Sequence, residues 1–162
     1  MKAEDFEIRE LRCADDAALE QVIRNCLIEY GGNHAGTAWA DPMLGHLSGC
    51  FDGVRTKYFV AYAPDGTLAG GTGIGTLAGT DTVCELQKMY LRPEYRRSGL
   101  GSRLIGMALE HAKRHFSACY LETLASMREA QKFYEKHGFS LTDETYGDTA
   151  HYDCGVHYIK RF

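Results

Sequence analysis

No stretch of the chain approaches the ~20 apolar residues that a membrane-crossing helix needs, and the opening MKAEDFEIRE lacks the apolar centre of a secretory signal. The six cysteines, at 13, 26, 50, 84, 119 and 154, include no CxxC pair, which removes the usual zinc-knuckle and redox-dithiol patterns. Their scatter through apolar segments suits buried thiols in a reducing compartment, so a cytoplasmic location with no membrane partner and no metal is expected. Excess positive charge is also missing. The 18 Lys and Arg against 22 Asp and Glu leave a net charge of −4, the wrong sign for a general nucleic-acid binder. No repeat, linker or low-complexity tract divides the 162 residues, and one domain over 1–162 is expected.

What the chain does have is amphipathic pattern. FEIREL (6–11) alternates like a strand, and DDAALEQVIRNCLIEY sets Leu19, Val22, Ile23, Cys26, Leu27 and Tyr30 on one helical stripe behind Asp15 or Asp16 as N-cap. Asp41-Pro42 has the form of an N-cap followed by proline, predicting a short helix to Phe51. Strands over 57–63 and 68–77 flank the turn Pro64-Asp65-Gly66-Thr67, and another covers 83–91. A helix from Gly99 to about His115 and a strand over 118–124 follow. The next helix opens on a capping box, Ser126 with Glu129, and stops at Gly138; FSL and GVHYIKRF end the chain as strands. The order β-α-α-β-β-β-α-β-α-β-β implies an α/β architecture with a mixed sheet flanked by helices.

Two glycine-rich runs compete as a phosphate site. A dinucleotide fingerprint needs its glycines between a strand and a helix, where free amides and the helix dipole meet the anion. GGTGIG (70–75) lies inside a hairpin strand and leads to TLAGTDTV, which has no helical period; its small residues read as room for a bulge or a close neighbour. RRSGLG (96–101) sits where a strand turns into a long amphipathic helix. There glycines allow close backbone approach and helix N-terminal amides point outward. Two arginines at a helix N-terminus also run against the macrodipole, which favours a phosphorylated ligand facing this turn. Walker A chemistry is excluded, because GxxxxGK[ST] is missing.

The segments CELQKMYLRPEYRRSGLGSRLI and YLETLASMREAQKFYEKHGF together resemble the GNAT superfamily of acyl-CoA-dependent N-acetyltransferases. The first carries R-x-x-G-x-G at Arg96, Gly99 and Gly101, and the second an A-x-x-x-Y-x-x-x-GF helix. The resemblance spans essentially the whole chain. It implies the acyl-CoA N-acyltransferase fold: a mixed, mostly antiparallel central sheet of six to seven strands with about four helices. It implies acetyl-CoA as co-substrate, its pyrophosphate held by amides of Arg96, Arg97, Ser98, Gly99, Leu100, Gly101 and Ser102. The pantetheine would run along Met89, Tyr90 and Leu91 like an added strand. The thioester carbonyl would sit near the Met89 amide, at a splay between strands 83–91 and 118–124. A homodimer is a family habit.

Aminolysis of a thioester needs a neutral amine, a donor for the developing oxyanion and a proton for the leaving thiolate. Glu85 is the one carboxylate in strand 83–91, four residues before Met89, and is the candidate base; Tyr134 matches the family's proton donor to sulfur. A structural carboxylate and a core tyrosine remain the plain alternatives, and Glu122 could assist Glu85. Cys84 points to the opposite strand face from Glu85, and His111 with His115 lacks the glutamate of HExxH. The acceptor would enter near EYGGNHAGTAWADP and YGDTAHYDCG. There Glu29, Asp41, Asp148 and Asp153 could attract a cation, while Tyr30, Trp39, Tyr146 and Tyr152 could pack against it. The expected activity is transfer of acetyl to the amine of a small molecule in a ternary complex. A protein amine, a non-catalytic coenzyme A module and a nucleotide-phosphate binder remain alternatives.

Overall fold

The central strands β3 and β5 are buried along almost their whole length, as a sheet covered by helices on both faces requires. In the computed structural model, which describes residues 1–148 and 151–162, the chain runs Glu7–Glu10 (β1), Asp16–Glu29 (α1), Lys57–Tyr62 (β2), Leu68–Leu77 (β3) and Thr80–Leu91 (β4). It continues through Leu100–His115 (α2), Ala118–Thr123 (β5), Arg128–Lys136 (α3), Ser140–Leu141 (β6) and Val156–Arg161 (β7). On β2, Tyr58 and Val60 face α1, joining Leu19, Ile23 and Leu27, while Ala61 faces α2 beside Leu100 and Leu104. On the α2 face, Ile105, Ala108 and Ala112 pack on Ile74, Cys84 and Cys119.

The seven strands lie in the order β1-β2-β3-β4-β5-β7-β6, antiparallel at every pairing except β4 with β5. The turn at 64–67 closes as expected, with the Ala63 amide donating to the Thr67 carbonyl (2.9 Å) and the Asp65 carboxylate accepting from the Thr67 amide (2.9 Å).

Three α-helices form among the described residues rather than about four. The stretch from Pro42 to Phe51 holds only the short 3₁₀ turn Leu47–Cys50. Gly45 and Gly49 each cost a helix here about 1 kcal/mol; Asp41 Oδ1 still accepts from the Met43 amide (2.9 Å), while its other oxygen lies 2.6 Å from Lys88 Nζ. The other expected caps are diverted to tertiary partners. Asp15 clamps Arg9 (2.7 and 2.8 Å), Asp16 accepts from the Ser48 amide and hydroxyl (2.9 and 2.6 Å), and Ser126 donates to the Tyr30 carbonyl (3.0 Å). Tertiary partners outcompete local capping at these three positions.

Candidate active site

The site begins where β4 leaves β5. The two strands pair only at Val83–Ala118, Cys84–Cys119 and Glu85–Tyr120, although β4 continues to Leu91 and β5 to Thr123. A bulge accompanies the parting. Against β3, Gln87 pairs with Gly73 and Tyr90 with Gly71, so Lys88 and Met89 together oppose Thr72. Lys88 takes a left-handed conformation (φ 49°), uncommon for a residue with a Cβ, and its buried ammonium is tied to Asp41.

Glu85 stands at the last paired position before the strands separate, 5% exposed. Burial pushes its carboxyl up from the ordinary 4.5 to about 7; the neighbouring Glu122 adds to the rise, while the Gln87 amide and Lys88 oppose it. Gln87 Nε2 donates to Glu85 Oε1 at 2.6 Å. A carboxyl held there is partly ionised at neutral pH, the range in which a carboxylate serves as general base.

Two cavities meet across β4. One is a groove of about 480 Å³ between α1, the 96–102 loop and α3, lined by Tyr30, Met89, Tyr90, Leu91, Gly101 and Phe133, among others. The other, about 50 Å³, is lined by Glu85, Glu122, Thr37, His151 and Cys154. Met89, Tyr90, Met127 and Tyr134 line both. Tyr134, on α3, is held between Phe139 and Tyr158 (ring centroids 6.0 and 6.3 Å), and burial raises its phenol further above its ordinary value. It therefore carries its proton at neutral pH.

The loop before α2 presents amides rather than arginine side chains. Arg97 (φ 63°) and Gly99 (φ 87°) are both left-handed, and among the described residues no acceptor takes the amides of Arg97, Gly99, Gly101 or Ser102. The Arg96 guanidinium is committed elsewhere: it forks onto Glu29 (2.7 and 2.8 Å) and donates from Nε to the Leu91 carbonyl (3.0 Å). Arg97 is exposed and lies 3.2 Å from Glu129. Ser98 Oγ donates to the Tyr95 carbonyl (2.8 Å) and accepts from the Leu100 amide (3.2 Å). The Leu100 side chain is buried in the core, so that residue offers no side chain to the groove.

On the acceptor side, Asp41 and Asp148 line a third cavity of about 240 Å³ together with Glu85, Gln87, Lys88 and His151. Tyr152 is exposed, and most of the other polar and aromatic candidates are engaged elsewhere. Glu29 holds Arg96, Asp153 lies 3.4 Å from His34, Trp39 stacks under Arg24 (4.7 Å), and Tyr146 meets Tyr120 (5.3 Å). Tyr30 lines the groove by the 96–102 loop instead. Gln87, Lys88, His151 and Cys154 were not singled out by the sequence. Gln87, two residues from Glu85 in the same strand, was the one with a legible signal.

The comparisons agree with this architecture. The model described as acetyltransferase (GNAT) family matches residues 4–139. The protein named uncharacterized N-acetyltransferase YjgM, from Escherichia coli K12, is 39% identical over 156 residues, 94% of this chain and 93% of its own length. Among solved structures, a GNAT-family acetyltransferase of Staphylococcus aureus Mu50 superposes with a TM-score of 0.82 at 18% identity, covering 96% of this chain and 98% of the other. The PaiA N-acetyltransferase of Thermoplasma acidophilum, solved in complex with coenzyme A, gives 0.71 at 22% identity, covering 97% and 99%. The chain belongs to the GNAT acetyltransferase family and is an acyltransferase.

Proposed function

We propose that the chain transfers the acetyl group of acetyl-CoA to the primary amine of a small molecule, by direct attack in a ternary complex. The observation that carries this reading is the meeting of the large groove and the smaller cavity at Met89, Tyr90, Met127 and Tyr134, with Glu85 on the smaller cavity's wall. The residues present fit coenzyme A. Amides at 97, 99, 101 and 102, which no acceptor among the described residues takes, suit a diphosphate, and the part of β4 beyond Glu85, left unpaired by β5, suits an extended amide-bearing arm. Acetyl-CoA supplies the activated thioester; the chain supplies position and proton handling. Glu85 takes the amine proton, directly or through water. The Met89 amide donates to the carbonyl oxygen as charge develops there, and the Tyr134 phenol gives its proton to the departing sulfur.

The cavity walls bear on the acceptor. Glu85, Asp41 and Asp148 outweigh the one ammonium of Lys88 in the 240 Å³ cavity, which supports a cationic amine over an acidic one. A panel of amines incubated with acetyl-CoA, with acetylated product and free coenzyme A read by mass spectrometry, tests the reading. Acetylation concentrated among cationic small amines is expected. Absence of turnover with every amine, despite tight acetyl-CoA binding, would overturn it.

A further inference from the structure

The glycine run 70–75 borders the catalytic strand, and the proposed mechanism gives it no task. Two of its members, Gly71 and Gly73, are two residues apart in β3 and so share a face. The Tyr58 ring, on the neighbouring strand β2, lies over that face. A Cβ at Gly71 would stand 2.6 Å from Tyr58 Cε1, and one at Gly73 would stand 2.5 Å from Tyr58 Cδ2. Any side chain at either position would evict the ring. Phe51 meets the ring edge-on with centroids 5.2 Å apart, and Tyr58 is fully buried.

Lying flat across the glycines, the ring crosses β3 completely. Its hydroxyl donates to the Lys88 carbonyl of β4 at 2.6 Å. That carbonyl belongs to the bulged, left-handed residue, and the amide on the other end of the same peptide is Met89 N–H. No peptide here is cis, so carbonyl and N–H of this planar unit point in opposite directions. A donor that fixes the carbonyl therefore fixes the N–H facing away from it, and it polarises the peptide in the sense that makes the N–H a stronger donor.

We infer that Tyr58 is a positioning residue: through a slot opened by Gly71 and Gly73, its hydroxyl holds the Lys88 carbonyl and so aims the Met89 amide at the reacting carbonyl oxygen. The inference rests on the proposed function, in which that amide receives the developing charge. Burial raises the Tyr58 phenol well above its ordinary value, so its proton is present across the working pH range. Lys88 Nζ on Asp41 anchors the same residue through its side chain, so the left-handed residue is held at two points.

Tyr58→Phe keeps the ring in its slot and removes one O–H. In isotope-labelled, ligand-free protein the Met89 amide resonance is expected to move, with β1 amides unchanged. In turnover assays kcat is expected to fall about tenfold, the size of one well-placed hydrogen bond, while calorimetric affinity for acetyl-CoA stays at the wild-type value. A tyrosine that merely fills space would leave both readings untouched, since the phenyl ring still fills it. An unmoved Met89 resonance, or wild-type kcat in the folded variant, overturns the inference. Acetyl-CoA that fails to bind the wild type overturns the proposed function instead, and calorimetry registers that separately from the resonance.

Discussion

The two glycine-rich segments, GGTGIG and RRSGLG, stand in opposite relations to the space beside them. In 70–75 the room left by each missing side chain is filled from within the protein: the Tyr90 carbonyl closes on Gly70, the Tyr58 ring on Gly71 and Gly73, and the Gln87 amide on Gly75. In 99–101 it is not. A Cβ at Gly99 would meet Ala3, at 3.3 Å, and the nearest atoms to one at Gly101 would be those of Phe133 and Leu91, at 3.4 and 3.5 Å. The first run is a mould for β4, admitting Gln87 beside Glu85 and Tyr58 beneath Lys88. The second is a rim on the large groove, where absent side chains leave amides uncovered. Glycine content alone marks neither role; what occupies the vacated volume does.

The largest effect that would break this contrast comes from filling the rim. Gly101→Glu adds a charged side chain at the groove, where the proposed diphosphate would lie, and acetyl-CoA binding by calorimetry is expected to vanish while the melting temperature stays close to wild type. Unchanged affinity would place the ligand elsewhere and leave the rim without a purpose.

How far the sequence disclosed this site follows from which signals are local. The 96–101 loop was legible because a strand-turn-helix transition is written in consecutive residues, and the strands and long helices showed in their periodicity. The splay was expected only through the family resemblance, because the point at which β4 and β5 part depends on a pairing partner more than thirty residues away in sequence. The bulge at Lys88 and the slot for Tyr58 were hidden for the same reason: three strands must assemble before the glycines, the ring and the carbonyl come together. Arg96 was named for its amide, but that amide donates to the Pro93 carbonyl (3.2 Å), and its guanidinium holds Glu29. Asp41 reads as a helix cap and does accept from the Met43 amide, yet no helix follows, and its other oxygen partners a buried lysine.

On the moulded strand itself, Glu85→Gln separates chemistry from packing. With its base neutralised, kcat at pH 8 is expected to drop by about 10²- to 10⁴-fold, and the acid limb near pH 7 to disappear from the rate profile. Stability should move the other way. The folded protein holds the Glu85 proton more tightly than the unfolded chain, since burial raises the carboxyl from 4.5 to about 7. Wild-type stability relative to the variant is therefore highest below pH 4.5, declines as pH rises through this window, and levels off above 7, by up to about 3 kcal/mol in all. Denaturant melts of both proteins at pH 5 and pH 8 check the sign, and parallel behaviour would remove Glu85 from the buried, desolvated role.

Tyr134→Phe sharpens the contrast from the side of the groove. The phenyl ring keeps its contacts with Phe139 and Tyr158, so acetyl-CoA affinity is expected to hold while kcat falls about 10²-fold, the usual scale of a lost general acid. Single-turnover measurement would locate the loss in the chemical step. A wild-type rate would assign the proton to water.

The smallest expected effect is the most direct comparison of the two runs, because it makes the same change in each. Gly73→Ala forces a methyl against the Tyr58 ring, the Lys57 carbonyl and the Phe51 ring, all within 2.9 Å of the new Cβ, and overpacking of this kind costs about 1–3 kcal/mol. Gly101→Ala places its methyl at ordinary contact distance in the first turn of α2, where alanine is the better helix former by up to about 1 kcal/mol, so stability is expected to hold or rise. Urea melts of the pair give the difference without any ligand. If Gly73→Ala proved as harmless as Gly101→Ala, β3 would have slack enough to move the Tyr58 ring aside, and a strand with that slack could not act as a mould.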